Sequence, residues 1–331
     1  MRFGLSLPHY DFSLPEIRPI SFEAVVEHAV RAEELGFDSV WVSDHFFYSL
    51  ARYGAGDELF GSLEPLTTLA ALAVRTERVR LGTLVLGAPF RHPSVLAKSA
   101  TTIDVLSGGR LELGLGAGWY RDEFEAFGYA FGEVGERFSA LEESVAVLDA
   151  LLPGGPVTRE AGRVRLVEAY NRPMPASRPR PPLWIGAKGG DRALRLAARH
   201  ADGWNSVWRW TPEAFGDRMR RARQLAEDVG RDPSTLRFSV GLHAIVGEDR
   251  ADLRRRWEAM LAWMPQALGG RSIDDWRADA LVGTVDEVRE RIASFEALGV
   301  EEIVVAPAPL PFAIPDASMV ELFADAVARS G

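Results

Sequence analysis

The sequence contains no cysteine, which excludes disulfides, thiolate metal centres and cysteine nucleophiles together. It has no basic excess either. A formal charge of -9 and the lack of a basic stripe argue against nucleic acid as a partner, because following a phosphate backbone needs clustered Lys and Arg. No apolar run approaches the roughly 20 residues of a membrane span. The opening Met1 to Pro8 is too short, and too soon broken by proline, for a signal-peptide core. The expectation is a cytoplasmic protein with no membrane or nucleic-acid partner, acting on a small molecule.

Two architectures are also missing. No close repeat of 20 to 50 residues occurs, so a solenoid is not expected. A dinucleotide fingerprint at the first βα turn is absent: Pro8-His9-Tyr10-Asp11 has no glycine. The later run Gly114-Leu115-Gly116-Ala117-Gly118-Trp119 puts Trp119 where the third fingerprint glycine would fall, so the doubly wound reading fails.

What the chain does have is alternation. Short β-branched runs are followed by amphipathic segments eight times over, the pattern of consecutive βα units. Strands are expected at 2–7, 39–42, 79–86, 111–115, 183–185, 201–206, 236–246 and 302–305. Helices are expected at 21–36, 65–75, after Pro93, and at 137–151, 191–199, 212–229, 250–263, 285–298 and 319–328. With 331 residues and 47% hydrophobic content, the fold class is α/β, a (β/α)8 TIM barrel, which needs about 250 residues before insertions. The expectation is one domain over 1–331 with an insertion at 153–182, rich in Gly, Pro and Arg, holding a hairpin near 164–167.

In such a barrel the chemistry lies where strands end. Here those positions hold His9, Asp44-His45, Thr83-Leu84-Val85, Gly114 to Tyr120, Gly186 to Gly190, Trp204-Asn205 and His243. Asp44-His45 sets a carboxylate beside an imidazole, an arrangement suited to proton transfer. The alternative is a cap and a packed histidine. Gly186-Ala187-Lys188-Gly189-Gly190 precedes a helix and can cradle a phosphate on backbone N–H groups, with Lys188 and Arg192 adding charge; the alternative is a simple turn. The glycines of 114–118 either admit a flat ligand or relieve crowding, and Trp119 and Tyr120 follow as stacking candidates. Trp208-Arg209-Trp210 either walls a pocket or packs a helix start. Substrate-shaping loops are expected at 46–62, 119–136 and 265–282.

Taken together, Gly36-Phe37-Asp38-Ser39-Val40-Trp41-Val42-Ser43-Asp44-His45, Arg80-Leu81-Gly82-Thr83, Ile103 to Arg110, Gly114 to Tyr120, Leu183 to Gly186 and Ala201-Asp202-Gly203-Trp204 resemble the luciferase-like monooxygenase superfamily, in its coenzyme F420-dependent branch. The resemblance spans nearly the whole chain. It implies a deazaflavin ring at the strand ends, contacted by Asp44, Thr83, Leu84, Val85, Gly116, Ala117, Gly118 and Trp119, with its phosphate at Gly186, Ala187, Lys188, Gly189 and Gly190. It also implies His45 as catalytic acid or base, Asp44 as its orienter, a non-prolyl cis peptide at Leu84-Val85, a homodimer, and no metal. The implied activity is hydride transfer between F420 and a small organic substrate. One departure stands out: Trp119 replaces the glutamate that some sugar-phosphate dehydrogenases of the branch carry, leaving Tyr120, Glu123 and Glu125 as substitutes. The alternatives on the same fold are a reduced-FMN monooxygenase and a non-catalytic flavin-binding barrel.

Overall fold

A computed structural model describes residues 1–53, 56–160, 162–265 and 270–328. Residues 54–55 and 266–269, within the expected loops 46–62 and 265–282, lie outside the described residues.

The chain opens with β1 (Arg2–Ser6) and α1 (Phe22–Glu34). The helix starts where Ser21 Oγ accepts the Ala24 N–H at 3.2 Å and ends before Gly36, whose φ of +84° needs a residue without Cβ. The second strand, β2 (Ser39–Val42), covers the span expected of it. After it comes an antiparallel hairpin, β3 (Phe47–Ser49) and β4 (Leu59–Gly61), that apolar periodicity did not mark. α2 (Pro65–Ala73) leads into β5 (Arg80–Thr83).

The continuous strand expected over 79–86 is broken. β5 stops at Thr83, the Leu84–Val85 peptide is cis, and the two-residue β6 (Leu86–Gly87) follows. Next come α3 (Pro93–Leu106), β7 (Leu111–Gly116), α4 (Arg121–Ala126) and α5 (Val134–Leu151). The insertion carries a hairpin, β8 (Val157–Arg159) with β9 (Leu166–Ala169), which begins earlier than the hairpin expected near 164–167. Polar contacts tie the insertion to α3. Lys98 Nζ donates to the Arg172 carbonyl, Asn171 Nδ2 to Thr101 Oγ1 at 2.7 Å, and Ser177 N–H and Oγ to Asp104 at 2.7 and 2.9 Å.

The alternation resumes with β10 (Leu183–Gly186), α6 (Asp191–His200), β11 (Gly203–Ser206), α7 (Pro212–Asp228), β12 (Arg237–Gly247) and α8 (Arg250–Trp263). Before the next expected helix the structure adds α9 (Ile273–Arg277) and β13 (Leu281–Thr284). β13 pairs in parallel with residues 244–247 of β12. The chain closes with α10 (Val285–Ala297), β14 (Glu302–Ala306) and α11 (Ala317–Ala328). Among the described residues no helix is long and apolar enough to cross a membrane.

Strands form in all eight expected spans, the third of them in two pieces, β5 and β6, and the fold is a (β/α)8 barrel. Two compact units make it up: Met1–Leu63 with Ser206–Arg220 and Phe238–Gly331, and Glu64–Asn205 with Arg221–Arg237. In the first unit β12, β14, β1 and β2 lie in that order, all parallel. In the second the order is β5, β7, β10 and β11, again parallel.

Each unit seals the starting ends of its strands with a buried carboxylate. In the first, Glu302 accepts from Ser39 Oγ at 2.5 Å and from Arg2 at 3.3 Å, while Trp41 Nε1 donates to Ser39 Oγ at 2.8 Å. In the second, Glu112 accepts from Trp184 Nε1 at 2.6 Å and from Arg80 Nε. A carboxylate taken out of water without such partners would cost several kcal/mol (about 3 or more). The opposite ends of the strands remain for chemistry.

Candidate active site

β1 and β2 are adjacent and parallel, so His9-Tyr10 and Ser43-Asp44-His45 fall together on the rim beyond them. The His9 ring is fully buried, and its Nδ1 faces the Leu7 carbonyl at 3.0 Å. A carbonyl only accepts, so Nδ1 carries the proton and Nε2 is an acceptor. Nε2 lies 3.2 Å from the Ser43 N–H and 3.1 Å from Ser43 Oγ, which is itself 2.5 Å from the Tyr10 hydroxyl. When Ser43 donates to the imidazole, Tyr10 donates to Ser43, giving a directed chain from phenol to imidazole. Burial pushes the His9 pKa down from 6.5 to about 4, with the nearby His45 imidazole pushing the same way.

Asp44 is buried and His45 is half-buried. The His45 carbonyl accepts from Ser62 Oγ, and its ring lies 5.4 Å from Tyr48 and 6.4 Å from Tyr10. Further round the same rim, β12 places His243 level with Ala306 of β14. His243 Nδ1 donates to the Ala308 carbonyl at 2.8 Å, and the ring packs 5.3 Å from Trp208 and 5.2 Å from Trp276.

The second unit has candidate residues of its own, set on a ledge. Thr83 Oγ1 accepts the Gly114 N–H at 2.8 Å and donates to the Gly114 carbonyl at 2.9 Å, locking the end of β5 to β7. Beyond it Val85 turns its side chain toward three glycines. A β-carbon would come within 2.8 Å of Val85 at Gly114, 2.8 Å at Gly116 and 2.6 Å at Gly186. At Gly118, φ is +74° and a β-carbon would stand 2.5 Å from the Phe124 ring. Of the two readings open for these glycines, relief of crowding has a direct cause here: Val85 and Phe124 occupy the space.

The remaining expected residues divide. Thr83, Leu84, Val85, Gly116 and Gly186 are brought together on the ledge, with Ala117 and Gly118 following β7 half-buried. Trp119 is 49% exposed, its ring 5.4 Å from Tyr120. Glu123 is buried in the first turn of α4, and Glu125 is an exposed partner of Arg121 at 3.1 Å. In the expected phosphate loop Ala187 has both backbone groups engaged: its N–H donates to the Asn205 carbonyl at 3.1 Å and its carbonyl accepts from Trp204 Nε1 at 2.8 Å. Lys188 is exposed, Gly189 takes φ +82°, and Gly190 caps α6 with no side-chain hydrogen bond to its first turn. Arg192 does not serve this loop. Its guanidinium is spent on Glu142 at 2.7 Å, Ser139 at 2.9 Å and the Gly135 carbonyl at 3.0 Å.

Sequence reasoning assigned nothing to Tyr10 and Ser43. The available signal was position: each stands next to a histidine or aspartate at a strand end. Their mutual contact spans 33 residues of chain and is visible only in the fold.

A family described as luciferase-like monooxygenase matches residues 1–302. The chain is 36% identical over 218 residues to a protein of Amycolatopsis mediterranei named F420-dependent glucose-6-phosphate dehydrogenase, covering 62% of each chain, so the match spans less than two thirds of that relative's length. It is 33% identical over 254 residues to the phthiodiolone/phenolphthiodiolone dimycocerosates ketoreductase of Mycobacterium kansasii, covering 72% of this chain and 68% of the relative. The crystal structure of monooxygenase RslO1 from Streptomyces bottropensis superimposes with a TM-score of 0.78 at 27% identity, covering 100% of this chain and 99% of that one. The chain belongs to the luciferase-like monooxygenase family.

Proposed function

We propose that the protein is a coenzyme F420-dependent oxidoreductase that transfers a hydride between the deazaflavin and a small organic substrate. The observation that carries the reading is the rim of the first unit, where a half-buried His45 follows β2 directly, backed by buried Asp44 and the His9–Ser43–Tyr10 chain. Several curated relatives are named for F420, which supports this cofactor.

The residues present suit such a group. Val85, half-buried over its three glycines, offers an apolar ledge for a flat ring. The N-cap of α6 is Gly190, which has no side chain to cap the first turn, and it follows Lys188, an arrangement that attracts a phosphate. Because Ala187 gives both its backbone groups to the sheet, the phosphate contacts fall to Lys188, Gly189 and Gly190. When bound, a deazaflavin supplies or accepts the hydride. His45 gives a proton to, or takes one from, the substrate oxygen, and Asp44 orients the cofactor or the imidazole.

Purified protein titrated separately with F420 and FMN should favour F420. Replacing His45 by Ala should lower turnover by about 10²- to 10⁴-fold, the usual worth of general acid–base catalysis, with cofactor affinity nearly unchanged. Undiminished turnover would remove His45 from the reaction.

The second reading, a reduced-FMN monooxygenase, is favoured by the full-length likeness to RslO1. Preference for FMN together with oxygen-dependent product would establish it.

A further inference from the structure

We propose that Trp208 is a stacking residue for the substrate, and that the substrate is a flat, uncharged ring compound bearing a carbonyl or hydroxyl group. The part about the carbonyl or hydroxyl rests on the oxidoreductase reading above; the stacking does not.

The segment Trp208-Arg209-Trp210 parts its two indoles. Arg209 takes φ +66°, in the left-handed region that non-glycine residues rarely enter. On one side of it Trp210, also half-buried, is tied to the fold: Nε1 donates to Ser206 Oγ at 3.1 Å and the ring packs 5.5 Å from Phe215 of α7. On the other side Trp208 stays half-buried on the rim, beside His243 and 5.9 Å from Phe312. Its seat is made for it. At Gly241 of β12 a β-carbon would stand 3.0 Å from the Trp208 ring and 2.5 Å from Val207, so the absent side chain is what lets the indole lie over the strand.

Phe312 is a second backbone exception, with φ +59°. It is held there by Ser13, whose Oγ donates to the Phe312 carbonyl at 2.5 Å and whose carbonyl accepts the Ile314 N–H at 2.9 Å. Bulky residues in this region persist only where the surrounding structure holds them, and they cluster at functional sites. Phe312 touches His9 at 5.0 Å and Tyr10 at 6.1 Å, and Tyr10 reaches His45 at 6.4 Å. Rings therefore run unbroken from Trp208 to His45, buried in the middle and accessible at both ends. One end presents a stacking face and the other a titratable group.

Charge points the same way. Arg209 is paired with Asp279 at 3.0 Å and stacked 4.7 Å from Trp276. Arg18, over Phe60 at 5.2 Å, has Glu58 at 3.8 Å. The Arg209 charge next to Trp208 is thus met by Asp279, which also lies 3.9 Å from Arg271, a setting less suited to a sugar phosphate than to an uncharged aromatic ketone.

The test uses 9-fluorenone and glucose 6-phosphate as probes, measured by equilibrium dialysis against the full chain with and without F420. Fluorenone should bind more tightly than the sugar phosphate, and Trp208→Ala should weaken it by about tenfold, in line with the worth of an aromatic contact. Trp208→Phe should restore most of the affinity. Trp208→Leu, which keeps apolar bulk on β12, replaces the Ala variant if that one fails to fold. Unchanged fluorenone affinity in a folded Ala or Leu variant, or tighter binding of glucose 6-phosphate, overturns the proposal. Failure of F420 to bind would instead sink the cofactor reading and leave this result standing.

Discussion

His9 is an imidazole that the fold keeps neutral down to about pH 4. In the unfolded chain its imidazole titrates near 6.5, whereas burial holds it at about 4 in the folded protein. Between those values the unfolded chain binds a proton that the folded chain refuses. Stability is therefore unaffected by His9 above pH 6.5, falls as the pH drops through this window, and levels off below about 4. The gap corresponds to about 3 kcal/mol. Urea unfolding at pH 7 and pH 4.5 should show a loss in the wild type that exceeds the loss in His9→Gln by about 2 kcal/mol. Equal losses in the two proteins would mean that His9 is protonated within the fold. The same neutrality matters for the rim, because Nε2 stays an acceptor for Ser43, from its backbone N–H or its hydroxyl.

Among the elements, the junction of β5, β7 and β10 shows why spacing alone misleads. From sequence Gly114 and Gly116 read either as a floor for a flat ligand or as relief of crowding, and Gly186 as part of a phosphate loop, but each faces Val85. Their obstacles differ in kind. At Gly186 a β-carbon meets only the Val85 side chain, whereas at Gly114 it also meets the Thr83 carbonyl oxygen at 2.3 Å. Gly186→Ala and Gly114→Ala should each destabilise the protein by about 1 to 3 kcal/mol through overpacking. Adding Val85→Ala should rescue the first and not the second, as measured by denaturant midpoints; rescue of both would exonerate the Thr83 backbone.

The elements themselves were largely legible. Ser21 and Gly36 bracket α1 as cap and stop, and β2 announces itself by its β-branched run. What escaped has physical reasons. The break at Leu84–Val85 lies inside an apolar stretch whose pattern is the same for one strand or two. β13 is four residues long and owes its existence to the extra length of β12 beside it. Of the site, Asp44 and His45 are visible because titratable residues at strand ends are conspicuous, while Tyr10, Ser43 and Phe312 carry no assignment until the fold sets them against His9.

At the scale of the whole molecule, both units follow one plan. Each has four parallel strands with a buried glutamate and a tryptophan near their starts and candidate functional residues at their ends. The surface is acidic overall, with a formal charge of -9, and its cations are almost all arginine: of 38 Lys and Arg side chains only Lys98 and Lys188 are lysines. Lys98 holds the Arg172 carbonyl of the insertion, and Lys188 stands exposed just ahead of α6. An acylating reagent aimed at primary amines thus meets two lysine targets, one tethered far along the chain from the phosphate loop and one within it. Followed by peptide mass spectrometry, the labelling of Lys98 becomes an internal clock against which Lys188 is read. Saturating F420 should slow acylation of Lys188 several-fold and leave Lys98 unchanged, and an unaltered ratio would put the phosphate elsewhere. Scarcity of lysine makes the chain its own footprinting probe.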